Sequence, residues 1–141
     1  MIWKEKFEVE NANIFSKNTL VEHLGIEFVE LGDDYLIAKM PVDHRTVQPF
    51  KLLHGGASVA LAETVGSFAS NLVIDTTKYG VVGVEINANH LKGVKSGFVY
   101  GKATPIKIGR NLHVWSIEIT DEAKNLICVS RLTTMVVPHT R

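Results

Sequence analysis

The chain has 141 residues, and its fifteen basic and fifteen acidic side chains cancel to a formal net charge of zero with histidine neutral. That length suits one compact domain with a sizeable core, and the cancelled charge gives no whole-chain attraction for nucleic acid or an anionic membrane. The first residues alternate charged and apolar without the apolar stretch of a secretory signal, and the single cysteine, Cys128, forms no internal disulfide, so a reducing, cytoplasmic setting with Cys128 in the core is expected.

Residues 11–24 carry Ile14, Leu20, Val21 and Leu24 at helical spacing, which predicts a helix with those four inward and Gly25 as its stop. Residues 26–31 and 35–42 alternate around Gly32-Asp33-Asp34, the pattern of a hairpin. Residues 43–51 contain Gln48 and Pro49 and read as a loop. Residues 52–67 then form the longest helical stretch. The apolar window 57–74 around it contains Glu63 and Asn71, groups that a lone membrane span would bury at high cost. After a connector at 75–80, four strands are expected at 81–91, 98–108, 112–120 and 126–137. Their short connections favour antiparallel neighbours in chain order, a meander that the early hairpin can join. The expected architecture is α+β: an antiparallel sheet covered by one long helix.

That helix carries the chemistry. Advancing about 100° per residue from Glu63 brings Gly56, Val59, Ala60, Gly66, Ser67 and Ser70 to its side, while Leu61, Val65, Phe68 and Leu72 collect opposite. The bulky side is expected on the sheet and the Glu63 side along a groove of small residues. Two readings stay open for Glu63: an acting carboxylate, or one that is solvated or held by Ser67 one turn on. Two also stay open for Gly55 and Gly56: a tight turn, or a helix start whose bare amides receive an oxyanion. Gly55 and Glu63 lie about 12 Å apart along a helix axis, a span that one carbonyl carbon does not easily bridge. If both act in one reaction, the simplest geometry brings Gly55 of one chain to Glu63 of a symmetry mate.

The run Gln48-Pro49-Phe50-Lys51-Leu52-Leu53-His54-Gly55-Gly56, followed by Ala62-Glu63-Thr64-Val65-Gly66-Ser67, resembles the hotdog-fold acyl-CoA thioesterases of the 4-hydroxybenzoyl-CoA thioesterase branch. Val82-Gly83-Val84-Glu85 to His90 and Ser130-Arg131-Leu132-Thr133-Thr134 extend the likeness over most of the chain. The resemblance implies a hotdog fold, a sheet wrapped around a central helix, in dimers or dimers of dimers (homotetramers). It implies Glu63 as nucleophile or general base, the Gly55 N–H as oxyanion donor and Gln48 as a side-chain partner near the thioester. His54 either bonds near the thioester or fixes the Gly55 turn, and Ser67 either assists Glu63 or bonds back to its own helix.

The resemblance also implies an aromatic acyl-CoA substrate, with 1,4-dihydroxy-2-naphthoyl-CoA of menaquinone synthesis favoured. CoA is part of that substrate, and no cofactor is expected. Phe68, Val82 and Val59 are candidate walls of an acyl cleft, and His90 matches a position near the ligand channel. Lys92, Lys95, Lys107 and Arg110 are candidates for the CoA phosphates. Scattered histidines without ligand spacing predict no metal site, and no G-x-S-x-G elbow supports a serine triad. A non-catalytic acyl-CoA sensor and a hotdog dehydratase are the competing readings. A sensor lacks an output domain in this length, and the His-Gly-Gly pattern suits a dehydratase less well.

Overall fold

The computed structural model describes residues 1–139. Six strands form one antiparallel sheet, β1 (Glu27–Leu31), β2 (Leu36–Pro41), β3 (Tyr79–His90), β4 (Phe98–Ile108), β5 (Leu112–Asp121) and β6 (Leu126–Pro138), in the order β1-β2-β4-β5-β6-β3. One 18-residue helix, α3 (Gly55–Leu72), lies against it, and two short helices, α1 (Val9–Phe15) and α2 (Leu20–His23), precede the sheet. The α+β expectation holds. α3 buries Ala57, Leu61, Ala62, Val65, Ala69 and Leu72, while β5 contributes the buried Trp115, Ile117 and Ile119 from one alternating face. Cys128 is buried in that core.

The first expected helix is two helices. Asn18 takes φ +63°, the left-handed region, and Thr19 Oγ1 donates at 2.5 Å to the Ser16 carbonyl that a continuing helix would offer to the Leu20 N–H, while Ser16 Oγ adds a 2.8 Å bond to the Ala12 carbonyl that already accepts the Ser16 N–H. The break reorients the face, so Ile14 and Leu20, expected inward, are exposed, while Val21 and Leu24 pack on the core. Asn13 docks α1 on the sheet edge, its amide donating to the Phe28 carbonyl at 3.1 Å and its Oδ1 accepting from the Phe28 N–H at 2.8 Å. Gly25 does stop α2. At φ +72° it donates to the Glu22 carbonyl, and Ile26 donates to that of Val21, the paired bonds of a glycine-ended helix.

The expected chain-order meander holds only for β4-β5-β6. β3 pairs with β6 and becomes a sheet edge, while β4 pairs with β2 and β5. The seven-residue connection 91–97 makes this possible. Fully extended it reaches about 23 Å, whereas three strand spacings need about 14 Å. Its backbone is tied to other loops, with Leu53 N–H donating to the Val94 carbonyl and Val42 N–H to that of Gly97, each at 2.8 Å. The long helix begins at Gly55 rather than residue 52, because Leu53 forms an antiparallel bridge with Val47, and it runs on to Leu72.

A Gly25→Ala chain must place a β-carbon 2.8 Å from Pro41 Cγ while holding φ +72°. Its stability is expected to fall by about 1–3 kcal/mol, read from the urea denaturation midpoint.

Candidate active site

Seven of the residues singled out in the sequence fall into two clusters on one chain, and the His54 side chain lines a separate cavity of about 290 Å³ with Leu20, Leu24 and Arg45. Gln48, Gly55, His90 and Lys92 line a cavity of about 400 Å³. Glu63, Ser67 and Phe68 line another of about 640 Å³, together with Phe15, Val21, Thr64, Asn71 and Thr76.

The first cluster is organised by the start of α3. His54 is the residue before the helix, and its Nδ1 accepts from the Gly56 N–H at 2.7 Å, so the neutral ring carries its hydrogen on Nε2. The His54 carbonyl accepts from Ala57 and Ser58. Three of the four opening N–H groups are thereby used, and among the described residues the Gly55 N–H has no acceptor. No acidic residue sits in the first turn, so the positive end of the helix dipole is uncompensated there. The His90 ring closes the site, its Nε2 lying 2.8 Å from where a β-carbon on Gly55 would stand. Gln48 sits on a tight loop in which Lys51 adopts φ +67°; its Oε1 accepts from the Phe50 N–H at 2.5 Å, which leaves the side-chain NH₂ as the free donor. Lys92 Nζ lies 3.6 Å from Asp121, whose carboxyl is held below the ordinary range first by the Asn125 side chain and to a lesser degree by Lys92.

The second cluster sits on the middle of α3. Glu63 is half-buried, and its Oε2 lies 2.6 Å from where a β-carbon on Gly83 would stand. β3 and β6 slip register just past that point, between Gly83 and Glu85, so the strand bulges beside the carboxylate. Ser67 does not hold Glu63; its carbonyl accepts from the Asn71 amide at 3.0 Å. Phe68 joins an aromatic group, with ring centroids 4.6 Å from Phe28 and 5.2 Å from Phe7. The groove expected along the whole Glu63 side is shorter than proposed, because Gly66 and Ser70 turn onto the sheet and are buried.

Val82 and Arg110 join neither cluster. Val82 is exposed on β3, and Arg110 lines a separate cavity of about 600 Å³ with Lys4, Asp75 and His113. Val59 is half-buried, and Glu85 and Asn87, which share one strand face, bond to each other at 2.9 Å. Gly83, Phe15 and Val21 line or shape the Glu63 cluster but were not among the site residues expected from the sequence. A glycine inside a strand pattern is itself a signal of bulging or close approach. Among the described residues no group of three or more His, Cys, Asp or Glu side chains could hold a metal ion, and no helix is long and apolar enough to cross a membrane.

This arrangement can be set against known proteins. The family model described as the thioesterase superfamily matches residues 50–128, which contain Gly55, Glu63 and His90. The chain belongs to the thioesterase superfamily. It is 54% identical over 138 residues to the proofreading thioesterase EntH of Cronobacter turicensis, covering 96% of this chain and 98% of that protein. It is 50% identical over 136 residues to the 1,4-dihydroxy-2-naphthoyl-CoA hydrolase of Escherichia coli, covering 96% and 99%. A crystal structure of a thioesterase from Haemophilus influenzae matches with a TM-score of 0.96 at 54% identity, covering 98% of this chain and 96% of that one. The fold is therefore the hotdog fold, and this thioesterase is a thioester hydrolase.

A methyl group at position 83 competes directly with the Glu63 carboxylate. Gly83→Ala is expected to lower kcat for benzoyl-CoA by about tenfold or more, the scale of an ångström-sized misplacement, while circular dichroism shows the same fold.

Proposed function

We propose that this thioesterase hydrolyses aromatic acyl-CoA thioesters, 1,4-dihydroxy-2-naphthoyl-CoA in menaquinone synthesis being the favoured substrate, at two equal sites shared between two copies of the chain. The observation that carries the shared site is the placement of both clusters along one strand. Glu63 sits over Gly83, Gly55 sits against His90, and both β3 residues lie on the unpaired edge of the sheet. Two such edges pairing antiparallel about a two-fold near Ile86 and Asn87 set Gly83 of one copy against His90 of the other. Glu63 of one chain then faces Gly55 and Gln48 of its mate. A homodimer is the smallest assembly that completes the site, and a dimer of dimers keeps it.

In this reading the thioester oxygen takes the Gly55 N–H and the free Gln48 amide, donors already aimed and backed by the helix dipole. Charge developing on that oxygen is stabilised without reorganisation. Glu63 either attacks the carbonyl carbon, expelling CoA thiolate and leaving a mixed anhydride for water to open, or removes a proton from the attacking water. Ser67, facing the same cavity, is placed to hold that water. His54 fixes the Gly55 turn, and Lys92 stands at the outer wall of the Gly55 cavity for a CoA phosphate. CoA enters as substrate, and the chemistry requires no cofactor.

The acyl preference rests on the Glu63 cavity. Phe15, Val21 and Phe68 give it apolar walls, and about 640 Å³ suits a bicyclic ring better than a short chain. Relatives at 54% and 50% identity carry different functional names, one a proofreading thioesterase and one a naphthoyl-CoA hydrolase, so a carrier-protein-bound acyl group is the second reading. Thiol release from matched acyl-CoA and acyl-carrier substrates separates them: the proposal expects 1,4-dihydroxy-2-naphthoyl-CoA to give the largest kcat/KM, and preference for the carrier thioester reverses it.

Glu63→Gln keeps size and removes basicity and nucleophilicity, so kcat is expected to drop by roughly two to four orders of magnitude. Single turnover in ¹⁸O water distinguishes the two roles, since label entering the Glu63 carboxylate marks the anhydride. Glu63→Ala and Gly55→Pro chains should each be inactive, the proline removing the N–H at a first helical position whose backbone suits it while its ring pushes His90 aside. Mixed and refolded together they should regain activity; none in verified heterodimers would refute the shared site.

A further inference from the structure

Three strands place His113, Thr134 and Gly83 in one row: His113 pairs with Thr134 across β5 and β6, and Thr134 pairs with Gly83 across β6 and β3. α3 passes over this row and touches both ends. At one end Glu63 lies on Gly83. Seven residues on, Ser70 Oγ stands 2.5 Å from His113 Nδ1 and 2.7 Å from Thr134 Oγ1. Ser70 and Thr134 are 0% exposed and His113 is 1% exposed, so each bond is made away from water. Seven residues advance a helix by about 10.5 Å and return it to nearly the same face. Two strand spacings come to about 9.6 Å. The helix segment and the strand row are matched in length, tied at one end by hydrogen bonds and bearing the carboxylate at the other.

The hydrogens fit a neutral His113 in either direction along the row: Thr134 donates to Ser70 and Ser70 to a bare Nδ1, or Nδ1–H donates to Ser70 and Ser70 to Thr134. His113 also lines the cavity that Lys4, Asp75 and Arg110 share. Burial, and secondarily the Lys4 charge, hold the His113 pKa below its ordinary value, which preserves that neutral form. Removing the Ser70 hydroxyl strands two buried polar groups. The packing that remains there, Val65, Ala69 and Leu72 against the sheet, is apolar and non-directional, so it keeps the helix seated but leaves a small roll unopposed by any hydrogen bond. A roll of 20° displaces a side-chain tip about 6 Å from the axis by about 2 Å.

We infer that Ser70, anchored by His113 and Thr134, is a positioning residue for Glu63, fixing the rotation of α3 that sets the carboxylate over Gly83. This rests on Glu63 being the acting carboxylate. Ser70→Ala is expected to lower kcat for benzoyl-CoA about ten- to hundredfold with KM within about threefold, the signature of a misplaced group. Thr134→Val, which keeps shape and β-branching, should show a smaller loss of the same kind that Thr134→Ser restores, and it serves if Ser70→Ala does not fold. In a Glu63→Gln background, Ser70→Ala should cause no further loss. Unchanged kcat in a folded Ser70→Ala chain, or a full additional loss on top of Glu63→Gln, overturns the positioning role. Wild-type kcat in Glu63→Gln alone overturns the reading of Glu63 beneath it.

Discussion

The close approach of α3 to the sheet is the constraint on which the rest of the structure depends. A β-carbon on Gly66 would stand 2.7 Å from Leu132 Cδ2, and one on Gly101 would stand 3.2 Å from Leu61 Cγ. A mid-helix glycine costs about 1 kcal/mol against alanine. That cost is offset by burial of Leu61, Val65 and Leu72, each contributing about 1.5–3 kcal/mol, because only a helix seated this low brings them fully against β4, β5 and β6. Low seating also determines what happens to Glu63. On a helix standing farther out it would be solvated; here it is pressed between its own helix and the bare backbone of Gly83, half-buried beside an apolar cavity.

The start of the same helix is governed by a different economy. Its opening amides must be satisfied, and His54 satisfies three of them with two acceptors, ring nitrogen and carbonyl. Gly55 is left over because it precedes the reach of both. The free donor is thus a consequence of how the helix is capped, and the missing side chain keeps the His90 ring from being displaced. Gln48 reaches the same place by a parallel route: the Phe50 N–H takes its carbonyl oxygen and so presents its NH₂. Both donors are fixed by bonds already present in the chain, which is what a preorganised oxyanion site requires.

Much of this was legible in the sequence because it is local. Strand alternation, the Gly25 stop, the buried Cys128 and the long helix with its single carboxylate each follow from a few neighbouring residues. What escaped depends on groups distant in the chain. The break at Asn18 is a contest between helix propensity and the Thr19 hydroxyl that captures the Ser16 carbonyl, and spacing alone favours the helix. The β3–β6 pairing is set by loop bonds from residues 91–97 to Leu53 and Val42, which no strand pattern encodes. Ser70 shares a helical face with Glu63, so the sequence placed both along a groove; only the strand row beneath shows that one faces a cavity and the other a buried histidine. His113 did carry a signal, since it alternates in phase with Trp115, Ile117 and Ile119.

β3 draws these strands of argument together. As a sheet edge it exposes unpaired backbone along twelve residues and shows Tyr79, Val82 and Val84 to solvent, a combination that ordinary edges avoid with charge, proline or a covering loop. Its hydrogen-bonded Glu85–Asn87 pair sits near the centre, where a two-fold would bring each pair close to its copy. A strand left open in this way is costly in a monomer and favourable in a pair. If the shared site is correct, the same pairing that covers the edge also joins the two half-sites, so association and catalysis are one event: the chain alone carries an acid without a donor at one end of β3 and a donor without an acid at the other.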